Sequence, residues 1–161
     1  MAFAVEKALK TWLHGSRRVV IAGIGNPIRS DDYVGLKIVE GLQGKVPEDV
    51  LLLECETVPE SYIEDIEKFK PTHVLLIDAA ILGLKPGEAR LVSAEEIAVD
   101  SAISTHVLPL RIFCDYVKQA TTAKVALLLV EPKTMEFNEG LSEEVERVAQ
   151  WLTRTLIGLL G

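Results

Sequence analysis

Cysteine, histidine and aromatic side chains are all scarce in this chain of 161 residues. Two cysteines, Cys55 and Cys114, are too few for a disulfide framework or a thiolate metal cage, and both sit within apolar patterns. They read as buried, inert thiols of a reduced, cytoplasmic protein. Positive charge is also short, with 17 Lys and Arg against 24 Asp and Glu and a net charge of −7. A nucleic-acid binder needs a basic footprint to neutralise phosphates, and the Arg17–Arg18 pair is too small to provide one. No apolar run approaches the ~18 residues of a membrane span. Glu6 and Lys7 interrupt the N-terminal stretch where an export signal needs unbroken apolar sequence. The expectation is a cytoplasmic protein without nucleic-acid or membrane partners.

What is present is a regular alternation. Runs of strand length at 19–24, 74–77 and 125–130 are apolar without polar alternation, the mark of strands covered on both faces, and 50–53 is a further strand. Between them lie helix-spaced apolar residues: Val34, Ile38, Val39 and Leu42, then Tyr62, Ile63, Ile66 and Phe69. Further helices are expected over 2–14, closed at Gly15, over 108–119, and over 142–158. Ser142 followed by Glu144 and Glu146 suits the start of the last one. Residues 89–92 alternate, as an edge or antiparallel strand does. One domain over residues 1–161 follows, a three-layer α/β/α sandwich with a mostly parallel twisted sheet of phosphorylase/hydrolase-like type.

In such sheets the working groups gather at the carboxyl ends of the strands. After the first strand comes Gly23-Ile24-Gly25-Asn26-Pro27, which opens like a dinucleotide fingerprint but has Ile28 where the third glycine belongs. No tightly bound organic cofactor is expected. The adjacent Asp31 and Asp32 follow at the start of the next helix. One can cap that helix, and the other is free to enter the cleft. Asp78 ends the 74–77 strand, where a carboxylate is costly to desolvate unless paired or coordinated. His106 follows the hydroxyl pair Ser104-Thr105 just before a helix, whereas His14 and His73 read as structural. Asp32, Asp78 and His106 offer two oxygens and one imidazole nitrogen from three loops, a set suited to a borderline divalent ion such as nickel, zinc or iron. The dispersed spacing does not by itself choose among them.

The ordered motifs G-I-G-N-P-x-x-x-D-D-x-x-G, I-D-A at 77–79 and T-H-V-L-P-L at 105–110 resemble the [NiFe]-hydrogenase maturation endopeptidase family. The stretches T-V-P-E at 57–60 and G-L-K-P-G-E at 83–88 resemble its HycI-type branch in particular. The resemblance runs from about Val19 to the C-terminus. It implies a nickel-dependent peptidase, aspartic-type by family label, that removes the C-terminal extension of a hydrogenase large-subunit precursor. The nickel would be supplied by the substrate and recognised by Asp32, Asp78 and His106, with Asp31 as a possible base or only a cap. Tyr33 departs from the family, which usually has a small residue there, and is expected to narrow the cleft mouth or shift the loop. Two other readings are a non-catalytic nickel/peptide checkpoint chaperone and a nucleoside hydrolase or phosphorylase. The latter wants a basic anion site, and Arg29 is the only positive charge between Gly23 and Gly35.

Overall fold

In the computed structural model, which describes residues 2–99 and 108–161, the apolar runs at 19–24, 74–77 and 125–130 form the middle of one five-stranded sheet, and the run at 50–53 lies in an edge strand. The elements are α1 (Ala2–Trp12), β1 (Val19–Ile24), α2 (Val34–Leu42), β2 (Val50–Glu56), α3 (Ile63–Phe69), β3 (His73–Ala79), β4 (Ala89–Ser93), α4 (Ala94–Val99), α5 (Leu108–Ala120), β5 (Lys124–Val130) and α6 (Glu143–Leu160). Two short 3-10 turns, Ser30–Tyr33 and Pro59–Tyr62, precede α2 and α3. The strand order is β2-β1-β3-β5-β4. β1, β2, β3 and β5 are parallel, while β4 runs antiparallel to β5 at the edge, as the alternation at 89–92 suggests.

Both faces of this sheet are covered. Val20, Ala22, Val74 and Leu76 point into one core with Ile66 of α3 and Phe113, Cys114 and Val117 of α5. Val19, Ile21, Leu75 and Ile77 point into the other with Leu9 of α1, Ile38 and Leu42 of α2, and Leu152 and Leu156 of α6. This double burial is the physical reason that the strands carry no polar alternation. The expected three-layer α/β/α arrangement is thus the one observed. No helix among the described residues is long and apolar enough to cross a membrane.

The glycines after β1 serve close packing. A Cβ on Gly25, whose φ is +147°, would lie 1.9 Å from the backbone oxygen of Asp32. A Cβ on Gly35 would lie 2.0 Å from the carbonyl oxygen of Ile77 and 2.5 Å from that of Ile24. The first turn of α2 therefore rests directly on the ends of β1 and β3, and the two acidic ends of these segments converge.

Gly35→Ala is expected to lower stability by about 1–3 kcal/mol, because the methyl meets backbone that can yield only by parting helix from sheet. A urea midpoint equal to that of the wild type would show that the contact is not tight.

Candidate active site at the carboxyl end of the sheet

The adjacent carboxylates Asp31 and Asp32 have opposite surroundings. Asp31 is fully buried. Its Oδ2 accepts from the backbone N–H groups of Lys133 (2.8 Å) and Thr134 (3.1 Å) and from the Ser142 hydroxyl (2.8 Å), and its Oδ1 accepts from Ser142 N–H (2.7 Å). It also sits at the N-terminus of α6, where the helix dipole favours negative charge. Asp31 is thus a clasp between the turn after β1 and the β5–α6 connection, and a role as base finds no support in these contacts. The Ser142 hydroxyl, expected to cap α6, donates to Asp31 instead and makes no side-chain cap bond. No local pattern reveals this pairing, which joins residues 111 positions apart.

Asp32 is only partly buried, and its Oδ2 accepts the Asn26 N–H at 3.1 Å. Asn26 in turn closes an Asx turn by accepting from Ile28 N–H at 3.0 Å. Ser30, one step before the pair, holds a φ of +48°. This left-handed conformation is held by bonds from its N–H to Asn138 O (2.9 Å) and from its hydroxyl to Glu136 O (2.8 Å). With Ser30 and Asp31 anchored in this way, Asp32 is left at the cleft.

Asp78 stands at the end of β3, next to β1 in the sheet, and its Oδ1 accepts the Ala79 N–H at 2.8 Å. Burial pushes its carboxyl well above the usual range, and the charge of Asp32 raises it further; the Ala79 bond opposes both. Two acids that resist joint ionisation are a setting that a divalent cation relieves, and both offer the oxygen donors anticipated for such an ion. His106 lies outside the described residues. Among the described residues, no cluster of three or more His, Cys, Asp or Glu is placed to hold a metal.

Tyr33, the residue that departs from the family pattern, is turned onto α2. Its hydroxyl donates to Glu40, two turns along α2, and its ring lies against that helix with Lys37 Nζ 6.0 Å from the centroid. Burial and the Glu40 carboxylate push the phenol pKa upward. His73 is at the opposite end of β3, edge-on to Trp12 at 5.0 Å and with Nδ1 2.8 Å from the Thr72 hydroxyl, in the structural role expected of it. Cys55 and Cys114 are buried, and desolvation pushes both thiols up to about 12.

This is an α/β fold with a pair of acids at a strand-end cleft, and its relatives define the class. The hydrogenase maturation protease profile matches residues 36–158. A putative hydrogenase maturation protease of Methanocaldococcus jannaschii is 33% identical over 164 residues, covering 97% of this chain and 96% of that protein. The hydrogenase 3 maturation protease of Escherichia coli is 26% identical, covering 88% and 90%. The crystal structure of the [NiFe] hydrogenase maturation protease HycI from Thermococcus kodakarensis superposes with a TM-score of 0.88 at 36% identity, over 95% of this chain and 98% of that one. The chain belongs to the HycI hydrogenase maturation protease family, and so is a peptidase that acts on hydrogenase precursors.

Two outcomes test the site's electrostatics. An aspartate whose folded pKa is raised binds more protons folded than unfolded, so its contribution to stability falls as pH rises from the ordinary value of 3.8 through the raised one. Asp78→Asn removes that penalty while keeping an acceptor for Ala79 N–H. It should be more stable than wild type in urea at pH 7, with the gain vanishing below pH 3.8. Equal midpoints at both pH values would mean that Asp78 ionises freely. Separately, neither thiol should react with a disulfide reagent in the native protein, and both should react in denaturant; rapid native labelling would contradict their burial.

Proposed function

We propose that the protein is the endopeptidase that removes the C-terminal extension of a [NiFe]-hydrogenase large-subunit precursor, with nickel already held in that precursor as the recognition element. The observation that carries this reading is the pairing of Asp32 and Asp78 at one cleft, where burial and the charge of Asp32 oppose ionisation of Asp78. Such a pair favours a cation delivered from outside. Three ligands at most, two oxygens and one imidazole, complete the coordination of an ion better than they retain one. Nickel in the substrate supplies a Lewis-acidic centre that is present only when the precursor is ready for processing.

In this reading Asp32, Asp78 and His106 recognise that ion and so orient the scissile peptide, converting recognition into positioning. A carboxylate then takes a proton from the water that attacks the scissile carbonyl and passes it to the amine released as the C–N bond breaks, the sense of the family's aspartic-type label. The anchored turn after β1 keeps Asp32 in place with little reorganisation.

The test is processing of the nickel-loaded precursor by purified protein, followed by gel mobility. Wild type should cleave it and should ignore the nickel-free precursor. Asp32→Ala and His106→Ala should each slow cleavage by about two orders of magnitude or more while melting like the wild type. Equal processing of the nickel-free precursor would refute nickel recognition. A stable complex that is never cleaved would instead make the protein a binding checkpoint.

A further inference from the structure

The cleft is bordered by apolar side chains that the fold leaves in water. Ile28, Val58, Ile81 and Phe137 are 52%, 44%, 52% and 78% exposed. They lie in the connections that follow β1, β2, β3 and β5, all of which end at the sheet edge that carries Asp32 and Asp78. Exposed apolar groups gathered at one edge mark an interaction site more often than chance scatter does.

These connections are braced. Asn138 N–H donates to Ile28 O at 3.0 Å, and Ser30 N–H donates to Asn138 O at 2.9 Å, so the Ile28 and Phe137 segments run bonded side by side. The guanidinium of Arg29 donates to Met135 O at 3.2 Å and stacks 5.6 Å from the Phe137 ring centroid. The Ile81 segment has a clasp of its own. Glu131, itself buried, accepts from Leu82 N–H (2.7 Å) and Leu84 N–H (3.1 Å). Behind Val58, Gly25 N–H donates to Glu56 O at 2.8 Å. Side chains held out on hydrogen-bonded loops lose little entropy when a partner covers them.

Charge indicates the partner's chemistry. Phe137 lies between exposed Glu136 and Glu139, and Val58 between exposed Glu56 and Glu60. An apolar anchor flanked by acids complements a peptide segment in which apolar residues alternate with lysine or arginine.

We propose that Ile28, Val58, Ile81 and Phe137, with the glutamates beside them, form a preorganised docking rim for a basic, apolar-anchored segment of the hydrogenase precursor near its scissile bond. The identity of the partner rests on the protease reading above. The rim supplies binding, whereas Asp32, Asp78 and His106 act on the bond.

The experiment is steady-state cleavage of the nickel-loaded precursor by the full-length protein, paired with equilibrium binding of the same precursor to the Asp32→Ala protein. Combined Ile28→Ser and Phe137→Ser should raise KM, and weaken binding to the Asp32→Ala protein, by roughly tenfold or more, with kcat within about twofold and an unchanged melting temperature. Phe137→Leu should restore most of the affinity. Raising salt from about 0.05 to about 0.5 M should weaken wild-type binding several-fold, and Glu136→Gln with Glu139→Gln should blunt that dependence. Wild-type KM in the double serine variant, or a loss confined to kcat, would overturn the rim. If the wild type does not cleave but the Asp32→Ala protein still binds through the rim, the protease reading fails and the docking surface stands.

Discussion

A single buried carboxylate, that of Asp31, ties together the two chain segments on which the cleft is built. Its four accepted hydrogen bonds reach from the turn after β1 to Lys133, Thr134 and Ser142. Ion burial costs several kcal/mol in real proteins, and only full hydrogen bonding compensates it. Bonds to an ionised acceptor contribute about 1.5–3 kcal/mol each, so four of them make burial sustainable and removal of any partner costly. Beside it, the Ser30 N–H and hydroxyl donate to Asn138 O and Glu136 O and hold that residue in its left-handed conformation, and together these contacts leave Asp32 at the cleft.

Close packing completes the arrangement. Gly25 and Gly35 let the 3-10 turn and the first turn of α2 approach backbone oxygens that any side chain would strike. This approach brings the loop of β1 against the end of β3. Asp32 is thereby held where its charge disfavours ionisation of Asp78. A fold that keeps such an unfavourable pair gives up stability for chemistry, as functional sites commonly do. The buried Glu131 repeats the strategy on the other side of Asp78, accepting two backbone N–H groups and bracing the connection that carries Ile81.

Much of the architecture was legible because strands buried on both faces must be continuously apolar, and 19–24, 74–77 and 125–130 are. The edge character of β4 was legible from its alternation. The strand order β2-β1-β3-β5-β4 was not, since nothing in a local apolar run says which neighbour it pairs with. The 3-10 turns escaped notice because their four residues are too few for periodicity. At the site, Asp78 stood out as a carboxylate at the end of a buried apolar run and Asp32 as one of an adjacent acidic pair at a helix start, and the inert character of the two cysteines followed from their apolar surroundings. The partners of Asp31 and Tyr33 were not legible, because they lie off the local pattern: Ser142 and Lys133 more than a hundred residues away, and Glu40 on a helix face.

The sequence by itself determined the class of fold, the family, and the chemical types available at the cleft, because these depend on burial periodicity and residue identity, both of which are local. Tertiary structure supplied the physical reason that Asp31 is a structural clasp while Asp32 stands at the cleft. The peptide chain presents Asp31 and Asp32 as equivalents. They differ only because a loop from the far end of the chain brings three N–H groups and a hydroxyl to one of them, and no pattern of neighbouring residues encodes that encounter.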